Sequence, residues 1–152
     1  MGIKSALKKC IKGGLFVNPF FIAKVAARFE VFLKERNIDP REVVAEVKGK
    51  PNSKSFLVRV YKRGLAPRVF LEREVDLNET GVVRRLNYLL AGLAEIGVVV
   101  NKSATKVGYS IKHRKAHGES MSIPQKDLIK FKEKLNELRE KYKEKYLSPF
   151  QG

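Results

Sequence analysis

The chain has 152 residues, 43% of them apolar, enough to bury one core and therefore one domain with at most an arm or a helix beyond it. A single cysteine, Cys10, excludes an internal disulfide and a cysteine-based zinc site and suits a reducing, cytoplasmic interior, while Lys and Glu richness with scarce Gln, Met and Trp resembles proteins from hot environments. No run approaches the ~20 apolar residues of a spanning helix, and Lys8 and Lys9 interrupt the start before a signal-peptide core can form, so the net charge of +16 calls for a polyanion rather than a membrane.

In chain order, residues 1–17 read as a basic N-terminal arm. Asn18-Pro19 is a capping residue followed by proline at the first helical position, and Ile22, Val25, Ala26, Phe29, Phe32 and Leu33 repeat at helical spacing, which predicts a helix over 19–36 that Asn37 and Asp39-Pro40 stop. Val43–Val47, Phe56–Lys62 and Arg68–Val75 read as strands separated by the breakers GKPNSK and KRGLAP. Asn78 or Thr80 caps a second helix with Val82, Val83, Leu86, Leu89, Leu90, Leu93 and Ile96 on its apolar face and Gly97 as its stop. VVVNKSATKVGYSIKH reads as two short strands around a polar turn, and Ser122 and Pro124 open a last helix.

The predicted fold is therefore α+β in the order α-β-β-β-α-β-β-α, an antiparallel twisted sheet with helices on one face. The arm 1–17, a core over 18–123 and a C-terminal amphipathic helix over 124–147 divide the chain. The stripe Leu128, Phe131, Leu135, Leu138 and Tyr142 on that last helix either packs on the core or pairs with its own copy in a homodimer.

Charge is segregated along the chain. Residues 1–12 carry four Lys and no acid, 48–68 carry seven Lys or Arg and no acid, and 98–118 carry five and none, which together account for the whole excess. Two of these stretches fall on strands and their turns, so a cationic strand face is expected, with nucleic acid, DNA or structured RNA, as the partner. The candidate contacts are Lys8 and Lys9 on the arm; Lys48, Lys50, Lys54, Arg59, Lys62, Arg63 and Arg68 on the first strands; and Lys102, Lys106, Lys112, His113, Arg114 and Lys115 on the second hairpin. Such contacts neutralise phosphates and release counterions without reading bases, although Arg59, Arg63 and Arg68 are also suited to guanine edges.

Catalytic and metal chemistry find less to stand on. His113 and His117 lie four apart, but Gly118 argues for a loop and no third ligand is near, so no metal or cofactor is expected. Cys10 stands between Lys9 and Lys12 with no base placed to activate it. A structural component of a nucleoprotein particle, ribosome- or virion-associated, fits the same basic composition.

Within Val69 to Lys112, the sequence VFLEREVDLNETG followed by VVRRLNYLLAGLAEIGVVVNKSATKVGYSIK runs strand, polar turn, helix, glycine and basic hairpin. This stretch, about a third of the chain, resembles the middle of a repeat of the LAGLIDADG homing endonucleases, which implies a DNA-gripping saddle. The family's motif helix would correspond to PFFIAKVAARFEVFLKER, where Ala23, Ala26 and Ala27 suit close helix packing. Its acid-glycine ending is missing, and Glu30 and Glu35 are the only nearby carboxylates. The resemblance thus implies an endonuclease only if one of these holds a metal, and otherwise a relative that grips DNA without cutting it.

Overall fold

Ile3, Ala6, Leu7, Cys10 and Ile11 recur at i, i+3, i+4, i+7 and i+8, the spacing of one helical face. In the structure, a computed structural model that describes residues 2–11, 18–49, 55–76, 82–102 and 125–147, they are the buried side of a helix, α1 (Ile3–Ile11). Residues 3–11 of the expected arm are therefore a helix packed into the core, because their apolar repeat gains more from burial than their lysines lose by being held on one side.

α2 (Pro19–Glu35) begins as the sequence requires: Asn18 is extended, and its side chain accepts a hydrogen bond from the Phe20 amide at 2.9 Å. It ends in a Schellman turn. Asn37 takes a left-handed φ of 57°, its amide donates to the Lys34 carbonyl, and that of Ile38 donates to Leu33 at 2.9 Å. The next helix, α3 (Val82–Glu95), stops in the same way, with Gly97 at φ 101° and the Val98 amide donating to Leu93 at 3.0 Å.

Between these helices lie a single 3-10 turn over Pro40–Glu42 and three strands, β1 (Val43–Gly49), β2 (Ser55–Lys62) and β3 (Arg68–Asp76). They form an antiparallel meander, and β4 (Val99–Lys102) joins the far side of β1, giving the sheet order β3-β2-β1-β4. β4 runs parallel to β1, with Val44 opposite Val99 and Glu46 opposite Asn101. The sheet is therefore mixed, not antiparallel. The cause is the connection: β3 and β4 occupy opposite edges, and α3 carries the chain back across the sheet so that β4 enters from the same end as β1. The return strand expected after β4 lies outside the described residues.

One sheet face makes the core. Ala45 and Val47 of β1 stand opposite Val60 and Val58 of β2, and Val43, Phe56 and Val75 extend the layer. Between Val60 and Tyr61 the register slips by one residue, leaving Phe70 extra on β3. That bulge lets Phe70 and Leu71 both be buried, and Phe70 meets Phe29 and Phe32 of α2 edge-on, with ring centroids 5.3 and 5.8 Å away.

α4 (Gln125–Leu147) lies along α2 on the side away from the sheet. Phe131, Leu135 and Leu138 are buried there and Leu128 and Tyr142 are partly buried, so the stripe that could have joined a second copy is occupied within the chain. Gly92 of α3 sits at a close approach of these helices. A Cβ there would stand 2.9 Å from Ile22 Cγ2 and 3.4 Å from Phe131 Cζ, so the small residue lets α2, α3 and α4 meet.

Candidate functional site

The outer face of the sheet is where the strand lysines and arginines were expected to make a continuous cationic surface. The ladder instead interleaves them with acids. Arg59 of β2 stands between Glu46 on β1 and Glu72 on β3, and its Nε lies 3.7 Å from the Glu72 carboxylate while its guanidinium covers the Tyr61 ring at 4.7 Å. Lys48 reaches Glu46 at 3.4 Å, and Lys62 reaches Glu42 at 3.5 Å. Three of the expected contacts are therefore paired with carboxylates from the segments flanking the acid-free stretch. A region without acids along the chain is not a region without acids in space.

Other expected contacts fall outside this pairing, in two groups. On α1, Lys4, Lys8 and Lys9 are exposed on the side opposite Ile3, Leu7 and Ile11, and among the described residues no carboxylate pairs with them. Lys8 and Lys9 occupy the last turn of the helix, where they also meet the negative end of its dipole. Lys4 was not among the expected contacts, although its i,i+4 spacing to Lys8 shows once the segment is read as a helix.

The second group surrounds the turn between β2 and β3. Arg63 is exposed; its amide donates to the Glu42 carbonyl at 2.9 Å and its Nη2 to the Arg41 carbonyl at 3.0 Å. Arg68 is exposed and lies 5.9 Å from the centroid of the Phe32 ring and 5.7 Å from that of Phe70. Arg36, which sequence reasoning left out, stacks on the same Phe32 ring at 3.6 Å from the other element, α2, and its Nη1 donates to the Phe32 carbonyl. A stacked guanidinium keeps its N–H edge outward, the geometry that receives a phosphate in two parallel bonds. Of the nearby acids, Glu35 lies 3.9 Å from Arg36 Nη1 in an exposed pair, while Asp39 holds Arg41 at 2.8 Å, and the hydrogen bond from that side chain keeps the Asp39 carboxyl below its ordinary range.

Of the remaining expected contacts, Lys102 ends β4 opposite Val47 in register. Lys50, Lys54, Lys106, Lys112, His113, Arg114 and Lys115 lie outside the described residues.

Glu30, one of the two carboxylates considered as a metal holder, is buried and faces α4. Arg139 donates to both of its oxygens, from Nε at 2.9 Å and Nη2 at 2.6 Å. The acid is thereby committed to holding two helices together. Among the described residues no group of three or more histidines, cysteines or acids is placed to hold a metal. Cys10 is buried, its Sγ donates to the Ala6 carbonyl, and burial pushes its thiol up to about 12, the reverse of what a nucleophile needs. No helix of the described residues is long and apolar enough to cross a membrane. Comparison with known protein families, with curated proteins and with solved structures gives no match to this chain.

Proposed function

We propose that the chain binds nucleic acid, DNA or structured RNA, through the phosphate backbone. The contacts are the lysine side of α1 and the arginines around the β2–β3 turn, with the acid-free stretch 98–118 adding to them in sequence. The observation that carries this reading is the contrast between the two kinds of basic residue. Lys48, Arg59 and Lys62 are matched by carboxylates, whereas Lys4, Lys8, Lys9, Arg63 and Arg68 are exposed and form no ion pair among the described residues. Charges that only kept the chain in solution would have no reason to gather in acid-free groups.

Fluorescence anisotropy with duplex and single-stranded probes at rising salt tests the reading. Binding is expected at about 50 mM salt, weakening as log salt rises with a slope near −4 to −5 if about five duplex phosphates are contacted. No binding to any probe at about 50 mM salt would remove it.

A further inference from the structure

We infer that the β2–β3 turn is a wedge for duplex DNA, in which Leu65 enters between two stacked base pairs while Arg63 and Arg68 hold the phosphates beside it. The inference rests on the nucleic-acid reading above and names what one part of that surface does.

Leu65 is wholly in water, at 109% of its reference exposure, where the other exposed large apolar residues among those described, Phe20, Val99 and Ile129, reach 40–47%. Turn tips ordinarily carry polar residues that bond to water or to their own backbone. Here the tip reads Gly64-Leu65-Ala66-Pro67, with no polar side chain between Arg63 and Arg68.

The stem beneath it is braced. The last ladder pair is Lys62 opposite Arg68, and the Arg63 amide is tied to the 3-10 turn through the Glu42 carbonyl. Gly64, at φ 150° and with open space around its Cβ position, turns the chain in a conformation other residues avoid, and Pro67 fixes its own φ. A side chain already held out on a stiff stem loses little freedom on insertion.

Apolar wedges of this kind, leucine among them, unstack a base step and kink the duplex, and their cost is met by the phosphate contacts the bend allows. An isolated single strand offers less, because leucine has no π face on which a base can stack. A lipid surface fits poorly too: even one myristoyl chain gives only marginal, reversible membrane attachment, and a single leucine is far smaller. Flexible pyrimidine-purine steps such as TA should accept the wedge most easily.

The test uses the full chain and a duplex carrying 2-aminopurine at a central TA step, whose fluorescence rises when it is unstacked. Wild type should raise the signal about threefold on binding. Leu65→Ala should still bind, within about tenfold of wild type and with a salt slope flatter by the contacts the bend allows, yet lose the rise, and Leu65→Phe should keep it, since phenylalanine also serves as a wedge. Leu65 is fully exposed, so both variants should melt as wild type does. Wild-type binding without a rise, or a full rise with Leu65→Ala, overturns the wedge and leaves the nucleic-acid reading standing. Leu65-dependent pelleting with phosphatidylserine vesicles that duplex DNA does not compete away assigns the tip to lipid and overturns it as well. Absence of any duplex binding removes the function and the wedge together.

Discussion

Arg139 on α4 and Glu30 on α2 meet side-on, with two nitrogens of one guanidinium bonded to two oxygens of one carboxylate across 109 positions of sequence. The bonds to Glu30 push the Arg139 pKa up against the opposing effect of burial. Removing one partner of a buried pair costs ~3–5 kcal/mol, but Arg139 is 36% exposed and solvent screens it, which brings the expected loss for Glu30→Gln to about 2 kcal/mol. Urea unfolding of that variant and of the double change Glu30→Leu with Arg139→Met checks this. The double variant should come within about 1 kcal/mol of wild type because no charge is left stranded. Duplex affinity should be the same for all three, and a loss of affinity with Glu30→Gln would mean the carboxylate serves a ligand rather than the helix pair.

Gly92 makes a prediction of opposite sign to helix propensity. In an exposed helix Gly→Ala stabilises by up to ~1 kcal/mol. Here the added methyl meets the branched Cγ2 of Ile22 at 2.9 Å, which has no free end to swing aside, so Gly92→Ala should destabilise by about 1–2 kcal/mol in urea unfolding. Ala94→Gly, exposed in the last turn of the same helix, should cost less, at most about 0.5 kcal/mol, through propensity alone. Greater stability of Gly92→Ala would show that the three helices do not meet there.

Cys10 predicts a pH dependence. Its thiol is held neutral in the folded chain, raised to about 12, whereas in the unfolded chain it ionises near 8.5. The folded-state pKa is the higher one, so this contribution to stability is complete below pH ~8.5 and is lost progressively as pH rises toward 12. At pH ~8, iodoacetamide should modify Cys10 at least ~100-fold more slowly in the native chain than in denaturant. Equal rates would show α1 undocked and its lysines no longer a fixed face.

Arg36 and Arg68 share the Phe32 ring, so their contributions should be coupled. Arg36→Lys keeps the charge but loses the planar stack, and should weaken duplex binding about as much as Arg36→Gln does. If lysine restores full affinity in the anisotropy titration, the position supplies charge without geometry.

How far the sequence reached differs from element to element. Local signals located α2, α3 and the first three strands, because Asn18, Asn37, Gly97 and the alternation in Phe56–Lys62 act within a few residues of one another. The same kind of signal ran through Ile3, Ala6, Leu7, Cys10 and Ile11, and the lysines between them drew the eye to an arm instead of a helix. The β4 direction depended on where α3 delivers the chain, a property of the whole sheet. The site was legible as charge and illegible as surface. Glu46 and Glu72 lie 13 residues either side of Arg59 in sequence and become its neighbours only through strand pairing, while Arg36 joins Arg68 only because β3 brings Arg68 to the Phe32 ring at the end of α2.

The distribution of usable charge is most directly tested by comparing two variants of equal net charge on one duplex probe across a salt series. In one, Lys4, Lys8 and Lys9 of α1 become Gln; in the other, the exposed Lys126, Lys130 and Lys141 of α4 do. The α1 variant should lose at least about tenfold in affinity and flatten the log–log salt slope by about 2–3, while the α4 variant stays within about threefold of wild type with its slope intact. Equal losses from both would contradict the account, since binding would then follow total charge and not the acid-free surface the fold presents.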